Sequence, residues 1–246
     1  MSSATITAVE PFFVEIERDE PYLGALREGD TANASGYFIR GGNRTVYPRS
    51  DRSVVLRIET SVGVTGWGET YGIVTPAAPM EIIRDLFAPF LLGRDPRDVS
   101  VIYEDLYDLM RVRGSSSGLY HDALAAVDIA LWDICGKLVG LPITALVGGQ
   151  RHTKLPAYVS GLPGKTQADR IALARQWQAK GFNSFKFASP AVDDVADEFR
   201  ALREALGPDA RIAADLHWHH SAAEALALSQ AVERDRPWFI EAPCAP

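Results

Sequence analysis

The apolar positions of this chain keep two different rhythms. Thr5 to Ile16 alternates in the manner of a strand. Ser53 to Glu59 (SVVLRIE) and Gly63 to Glu69 (GVTGWGE) read as the two arms of a hairpin. Helical spacing then takes over. It runs over Pro79 to Leu92, closed by Gly93 and Pro96, over Val99 to Arg113 before the Gly114-Ser-Ser-Ser-Gly118 stretch, and over His121 to Val139, ended by Gly140 and Pro142. Strands followed by helices predict an α+β unit. Between the first strand and the hairpin, Arg18 to Ser50 is rich in Gly, Asn, Arg and Tyr and has no periodicity. It reads as one long loop, of the kind that is usually functional or disordered.

From Leu155 the grammar changes to a regular alternation. Leu155 to Ser160, Ser184 to Ala188, Arg211 to Asp215 and Trp238 to Glu241 read as strands. The helices between them are Gln167 to Lys180, Val195 to Leu206 and Ala222 to Glu233. Repeated βα units predict a parallel sheet whose right-handed crossovers curl it toward a barrel. A closed barrel of this kind needs eight strands and only four are legible. The expectation is therefore an α+β domain over 1–150 and the first half of a β/α barrel over 151–246, in a chain that stops in mid-barrel.

Composition narrows the functional classes. The chain has 246 residues, a net charge of -7, 47% apolar and 23% charged residues, which is ordinary for a globular protein. The acidic balance argues against nucleic acid or an anionic membrane surface as partner. It leaves a small anionic substrate open, because a metal and local Lys or Arg can reverse the field inside a pocket. Cys135 and Cys244 are far apart and show no zinc spacing, so two reduced thiols in a cytoplasmic protein are expected. The first residues lack a signal-peptide pattern, and no apolar run approaches the roughly 20 residues that cross a bilayer. No Walker sequence, dinucleotide fingerprint or nucleophile elbow is present.

The chemistry concentrates at the ends of the last strands. Asp215 closes one and Glu241 closes the next, and in a β/α barrel the carboxyl ends of the strands build the active site. Two carboxylates there can hold one hard divalent cation, although helix capping by Asp215 and a loop contact for Glu241 stay open as alternatives. His217 lies two residues after Asp215; in an extended chain the two would share a face, so one could bind metal while the other moves a proton. Lys186 sits between Phe185 and Phe187 in a strand expected to be buried. An isolated ammonium there is costly, which points to an anion beside it or to a side chain reaching solvent. His219 and His220 read as solvated or capping residues, and Asp128, Asp133 and Lys137 as helix ion pairs or caps.

The stretch Asp122-Ala-Leu-Ala-Ala-Val-Asp-Ile-Ala-Leu-Trp-Asp-Ile-Cys-Gly-Lys137, then Gly140-Leu-Pro142 and Leu146-Val-Gly-Gly149, resembles the segment that joins cap to barrel in the enolase superfamily, most closely its mandelate racemase branch. Val64-Thr-Gly-Trp-Gly-Glu69 resembles the cap hairpin of the same proteins. The resemblance implies an α+β capping domain over a modified TIM-type barrel with Mg2+ at the strand ends. Asp215 and Glu241 map onto the first two metal-ligand positions. The third ligand and a His-Asp pair would lie beyond Pro246, and loops within Arg18 to Ser50 and Tyr71 to Pro79 would shape specificity. The family often carries Lys-x-Lys on the second strand; here the pattern is Lys186-Phe187-Ala188, which disfavours a racemase with bases on both faces. Asp215-Leu216-His217 resembles the Asp-x-His of acid-sugar dehydratases, where the His is the general acid.

The resemblance thus implies a Mg2+-dependent dehydratase of an aldonate or aldarate. It would act by α-proton abstraction through a metal-stabilised enediolate, with His217 and Lys186 catalytic. The partner is a small carboxylate, and the complete form is expected to be a homo-oligomer in the cytoplasm. A racemase, epimerase or cycloisomerase on the same scaffold, and a non-catalytic fragment, are the alternatives.

Overall fold

The structure is a computed structural model that describes residues 4–21, 24, 26, 29, 31–41 and 43–245. Parts of the long loop after the first strand lie outside the described residues. The chain divides into two compact units, Met1–Glu17 with Ser50–Thr153, and Arg18–Arg49 with Lys154–Pro246.

In the first unit, β1 (Ile6–Ile16), β4 (Asp51–Thr60) and β5 (Thr65–Tyr71) form an antiparallel sheet in the order β1-β4-β5. Alternation decides which face is covered: Val54, Leu56 and Ile58 are fully buried while their neighbours along β4 are half-buried. The long helix α4 (Leu119–Val139) lies on that face, and the glycines of the hairpin explain how closely. A Cβ on Gly68 would sit 1.9 Å from the Ala126 carbonyl oxygen, and one on Gly66 2.3 Å from that of Ala130. The Asp133 carboxylate accepts from the Trp67 backbone N–H at 2.9 Å and from Lys137 at 2.6 Å, tying helix to strand.

The helix expected from Pro79 begins earlier and is not uniform. It runs as α1 (Ala77–Glu81), a π-helical stretch (Ile82–Phe87) and α2 (Ala88–Leu91). Ile83, Phe87 and Leu91 are fully buried, at the four-residue spacing that keeps one face on the core. α3 (Val99–Arg111) completes this core with Ile102 and Leu106, and the short α5 (Ile143–Leu146) follows α4.

The second unit is a four-stranded parallel sheet in the order β6-β7-β8-β9. Its strands are β6 (Val159–Ser160), β7 (Ser184–Ala188), β8 (Arg211–Asp215) and β9 (Ile240–Glu241), joined by α6 (Gln167–Ala179), α7 (Val195–Leu206) and α8 (Ala222–Val232). β7, β8 and α7 coincide with the sequence expectation. β6 is shorter than expected, since Leu155 is largely exposed and Pro156 carries no N–H for a ladder, and β9 is shorter too, spanning only Ile240–Glu241. Phe185, Phe187, Ile212 and Ala214 point toward the helices and meet Phe199 and Leu202 of α7. Alternation therefore turns Lys186, Ala213 and Asp215 to the opposite face. α6 and α8 each begin with a capping box, Thr166 with Asp169 and Ser221 with Glu224. The loop after β1 is not featureless: β2 (Tyr37–Ile39) and β3 (Val46–Pro48) pair as a small antiparallel hairpin that belongs to this unit. Among the described residues no helix is long and apolar enough to cross a membrane.

Candidate functional site

The parallel register sets the site. Ala188 pairs with Asp215 and Asp215 with Glu241, so the last residues of three successive strands lie side by side at one end of the sheet. Lys186 stands two residues back on β7, and its side chain reaches that same end. Its Nζ donates to Glu241 Oε2 at 2.5 Å and lies 3.6 Å from Asp215 Oδ2. One ammonium group thus serves both carboxylates. Burial depresses the Lys186 pKa, but its bond to Glu241 and the charges of Asp215 and Glu241 outweigh it and leave the pKa raised, so the group is a cation at neutral pH. The Tyr158 ring lies 5.9 Å from the same nitrogen.

His217 joins the group by a route the pleat does not provide. β8 ends at Asp215, and His217 (φ 47°) and Trp218 (φ 57°) are both left-handed. The Asp215 carboxylate accepts from the His217 backbone N–H at 3.0 Å, and His217 Nε2 lies 3.3 Å from Asp215 Oδ2. The expected proximity is present, but a tight turn creates it, not the extended chain assumed from i and i+2 spacing. Asp215 does not cap the following helix; Ser221 does. Left-handed backbone at non-glycine residues is strained, and here it is held from the neighbouring strand, where Ala242 (φ 43°) is left-handed too. Leu216, Trp218 and His220 donate their backbone N–H groups to the carbonyls of Glu241, Ala242 and Pro243, at 2.9, 2.7 and 3.1 Å. These bonds lock the turn after β8 to the turn after β9.

Burial lowers the His217 pKa, more than the Asp215 charge raises it, and the positive charge of Lys186 adds to the lowering. These effects favour the neutral imidazole. Its Nδ1 is buried and makes no hydrogen bond among the described residues. His219 and His220 stack with ring centroids 5.0 Å apart; His219 is exposed, His220 is half-buried, and burial lowers the His220 pKa.

A cavity of about 500 Å³ opens at this end of the sheet. Lys186, Asp215 and His217 line it together with Ser160, Gly161 and, from the long loop, Arg18. Sequence reasoning named the loop but not Arg18; a cation near the start of an aperiodic segment gives no local signal of where it will fold. The donors fit a hard divalent ion: two carboxylates on adjacent strands converge on one cationic centre, and both offer oxygen. They number two, and among the described residues no cluster of three or more His, Cys, Asp or Glu is arranged around a metal position.

Comparison with known proteins agrees with this architecture. Residues 45–148 match the mandelate racemase/muconate lactonizing enzyme N-terminal domain, and residues 169–246 match the enolase C-terminal domain-like family. The D-galactonate dehydratase of Ralstonia nicotianae is 35% identical over 81% of this chain and 54% of its own length. The D-galactarolactone cycloisomerase of Agrobacterium fabrum is 34% identical over 96% of this chain and 58% of its own length. A solved structure from Sinorhizobium meliloti superimposes at a TM-score of 0.96 with 58% identity, over 98% of this chain and 62% of that one. The chain thus spans little more than half the length of the curated relatives it matches.

Proposed function

The chain belongs to the enolase superfamily, in its mandelate racemase/muconate lactonizing enzyme branch, and on that premise we propose that it serves a Mg2+-dependent dehydratase of a sugar acid, an aldonate or aldarate. The observation that carries this reading is the convergence of Asp215, Glu241 and Lys186 at one strand end, with His217 against Asp215.

Asp215 and Glu241 would hold Mg2+ from adjacent strands. When bound, the ion supplies Lewis-acid polarisation of the substrate carboxylate, which lowers the barrier to losing the α-proton. The α-proton itself would pass to a base outside this cluster; the residues gathered here do two further things. Lys186 places a fixed positive charge where the carboxylate oxygens gain negative charge as the enediolate forms. Proton transfer to the leaving β-hydroxyl falls to His217: a depressed pKa makes its imidazolium a stronger acid than a solvated one, at the cost of a smaller charged population at neutral pH. The backbone bonds between the two post-strand turns keep His217 and the carboxylates in fixed relation, which is the preorganisation such a site needs.

Calorimetric titration with MgCl2 tests the ligand assignment. Asp215→Asn and Glu241→Gln should each weaken binding at least tenfold, and wild-type affinity in both would refute it. Product mass tests the reaction on D-galactonate and galactarate: elimination removes one water, isomerisation keeps the mass. The 34% identical relative named a cycloisomerase supports a second reading on the same scaffold, in which the product mass is unchanged.

A further inference from the structure

Arg170, on α6, is only 4% exposed and carries a full positive charge into the helix layer of the second unit. Its fork meets Glu198 of α7 in two bonds, Nε to Oε1 at 2.8 Å and Nη2 to Oε2 at 2.7 Å. Pairing would be complete there. The guanidinium goes further: Nη1 donates to the Gly164 carbonyl at 3.0 Å and to the Ala191 carbonyl at 3.1 Å. Those carbonyls belong to the loops that follow β6 and β7. Both loops wall the cavity that contains Lys186 and Asp215, through Gly161, Leu162 and Pro163 after β6 and Ala191 after β7. The fit around the arginine is close, since a Cβ on Gly164 would lie 2.8 Å from Arg170 Cγ.

A buried ion pair by itself contributes little net stability, because desolvation offsets the attraction, and an apolar pair of similar volume serves as well. What an apolar pair cannot do is donate to two loop carbonyls at once. Lysine cannot replace the fork either, since its point charge lacks the planar donor set.

We propose that Arg170 is a positioning residue for the substrate pocket: oriented by Glu198, it clamps the loops after β6 and β7 and so fixes the wall that faces Lys186. The inference rests on the reading of the site given above, and its test separates the two.

The double variant Arg170→Leu/Glu198→Leu removes the charges together. Its urea midpoint should match wild type, whereas amide exchange should quicken at least tenfold at Gly161 and Val192, which donate to the carbonyls of Lys186 and Ser189. Affinity for D-galactonate and galactarate, each titrated with MgCl2 present, should fall at least tenfold. Arg170→Lys, which keeps the charge and drops the fork, should show the same loosening and serves if the double variant does not fold. Wild-type exchange in a folded variant overturns the clamp and leaves the site reading intact. If wild-type protein binds neither sugar acid, the site reading fails, and the exchange rates still decide the clamp.

Discussion

Lys186 Nζ donates to Glu241 Oε2 at 2.5 Å, reaching over the whole width of β8 and passing 3.6 Å from Asp215 Oδ2 on the way. Removing that cation leaves two carboxylates facing each other. Lys186→Met should lower the urea midpoint by the equivalent of about 1–2 kcal/mol, a figure kept small because Glu241 is half-exposed. On the proposed reading, millimolar MgCl2 should restore stability more in the variant than in wild type. An unchanged midpoint at low salt would show that the bridge contributes nothing.

Gly68 sets the distance between sheet and helix in the first unit. Any side chain there meets the Ala126 carbonyl, a backbone atom that cannot swing away. Gly68→Ala should cost about 3 kcal/mol, read as a large fall in the thermal midpoint. A near-neutral result would mean that α4 rides up from β5 at little cost.

His220 should confer a pH dependence. Its pKa is lowered in the folded state, first by burial and then by the neighbouring charge of His219, so the unfolded chain binds the proton more readily. The contribution is present above the ordinary histidine range and is lost as pH falls from neutral through about 6.5 and below. His220→Gln should flatten the denaturation midpoint against pH over that interval; an unaltered profile would count against the assignment.

Ser221 begins α8 just after this histidine, and its hydroxyl accepts from the Glu224 backbone N–H while Glu224 reaches back to the Ser221 N–H. Ser221→Ala should cost about 1 kcal/mol and quicken amide exchange in the first turn of α8. Equal exchange in both proteins would show that the cap is dispensable.

Local pattern made several elements legible. Ser184–Ala188 and Arg211–Asp215 emerge at their sequence-expected bounds because alternating or continuous apolar runs between helical stretches have few other solutions. The acids closing β8 and β9 were visible for the same reason. The hairpin β2–β3 was not, since three-residue strands carry too little periodicity to register. The left-handed turn at His217 was not either: it depends in part on backbone bonds to the turn after β9, about 25 residues along the chain. Arg170 carried no local signal: Gly164 is six residues away, but Ala191 and Glu198 are 21 and 28 residues along the chain.

The sequence by itself determined the α+β unit, the parallel βα succession and the acidic residues at the strand ends, because hydrophobic period and strand polarity are local properties. Only the tertiary structure decided that Lys186 spans two strands to Glu241, that a strained turn brings His217 to Asp215, and that Arg170 joins two loops. Register, burial and turn geometry depend on contacts between segments far apart along the chain, such as Lys186 with Glu241 and Leu216 with Glu241.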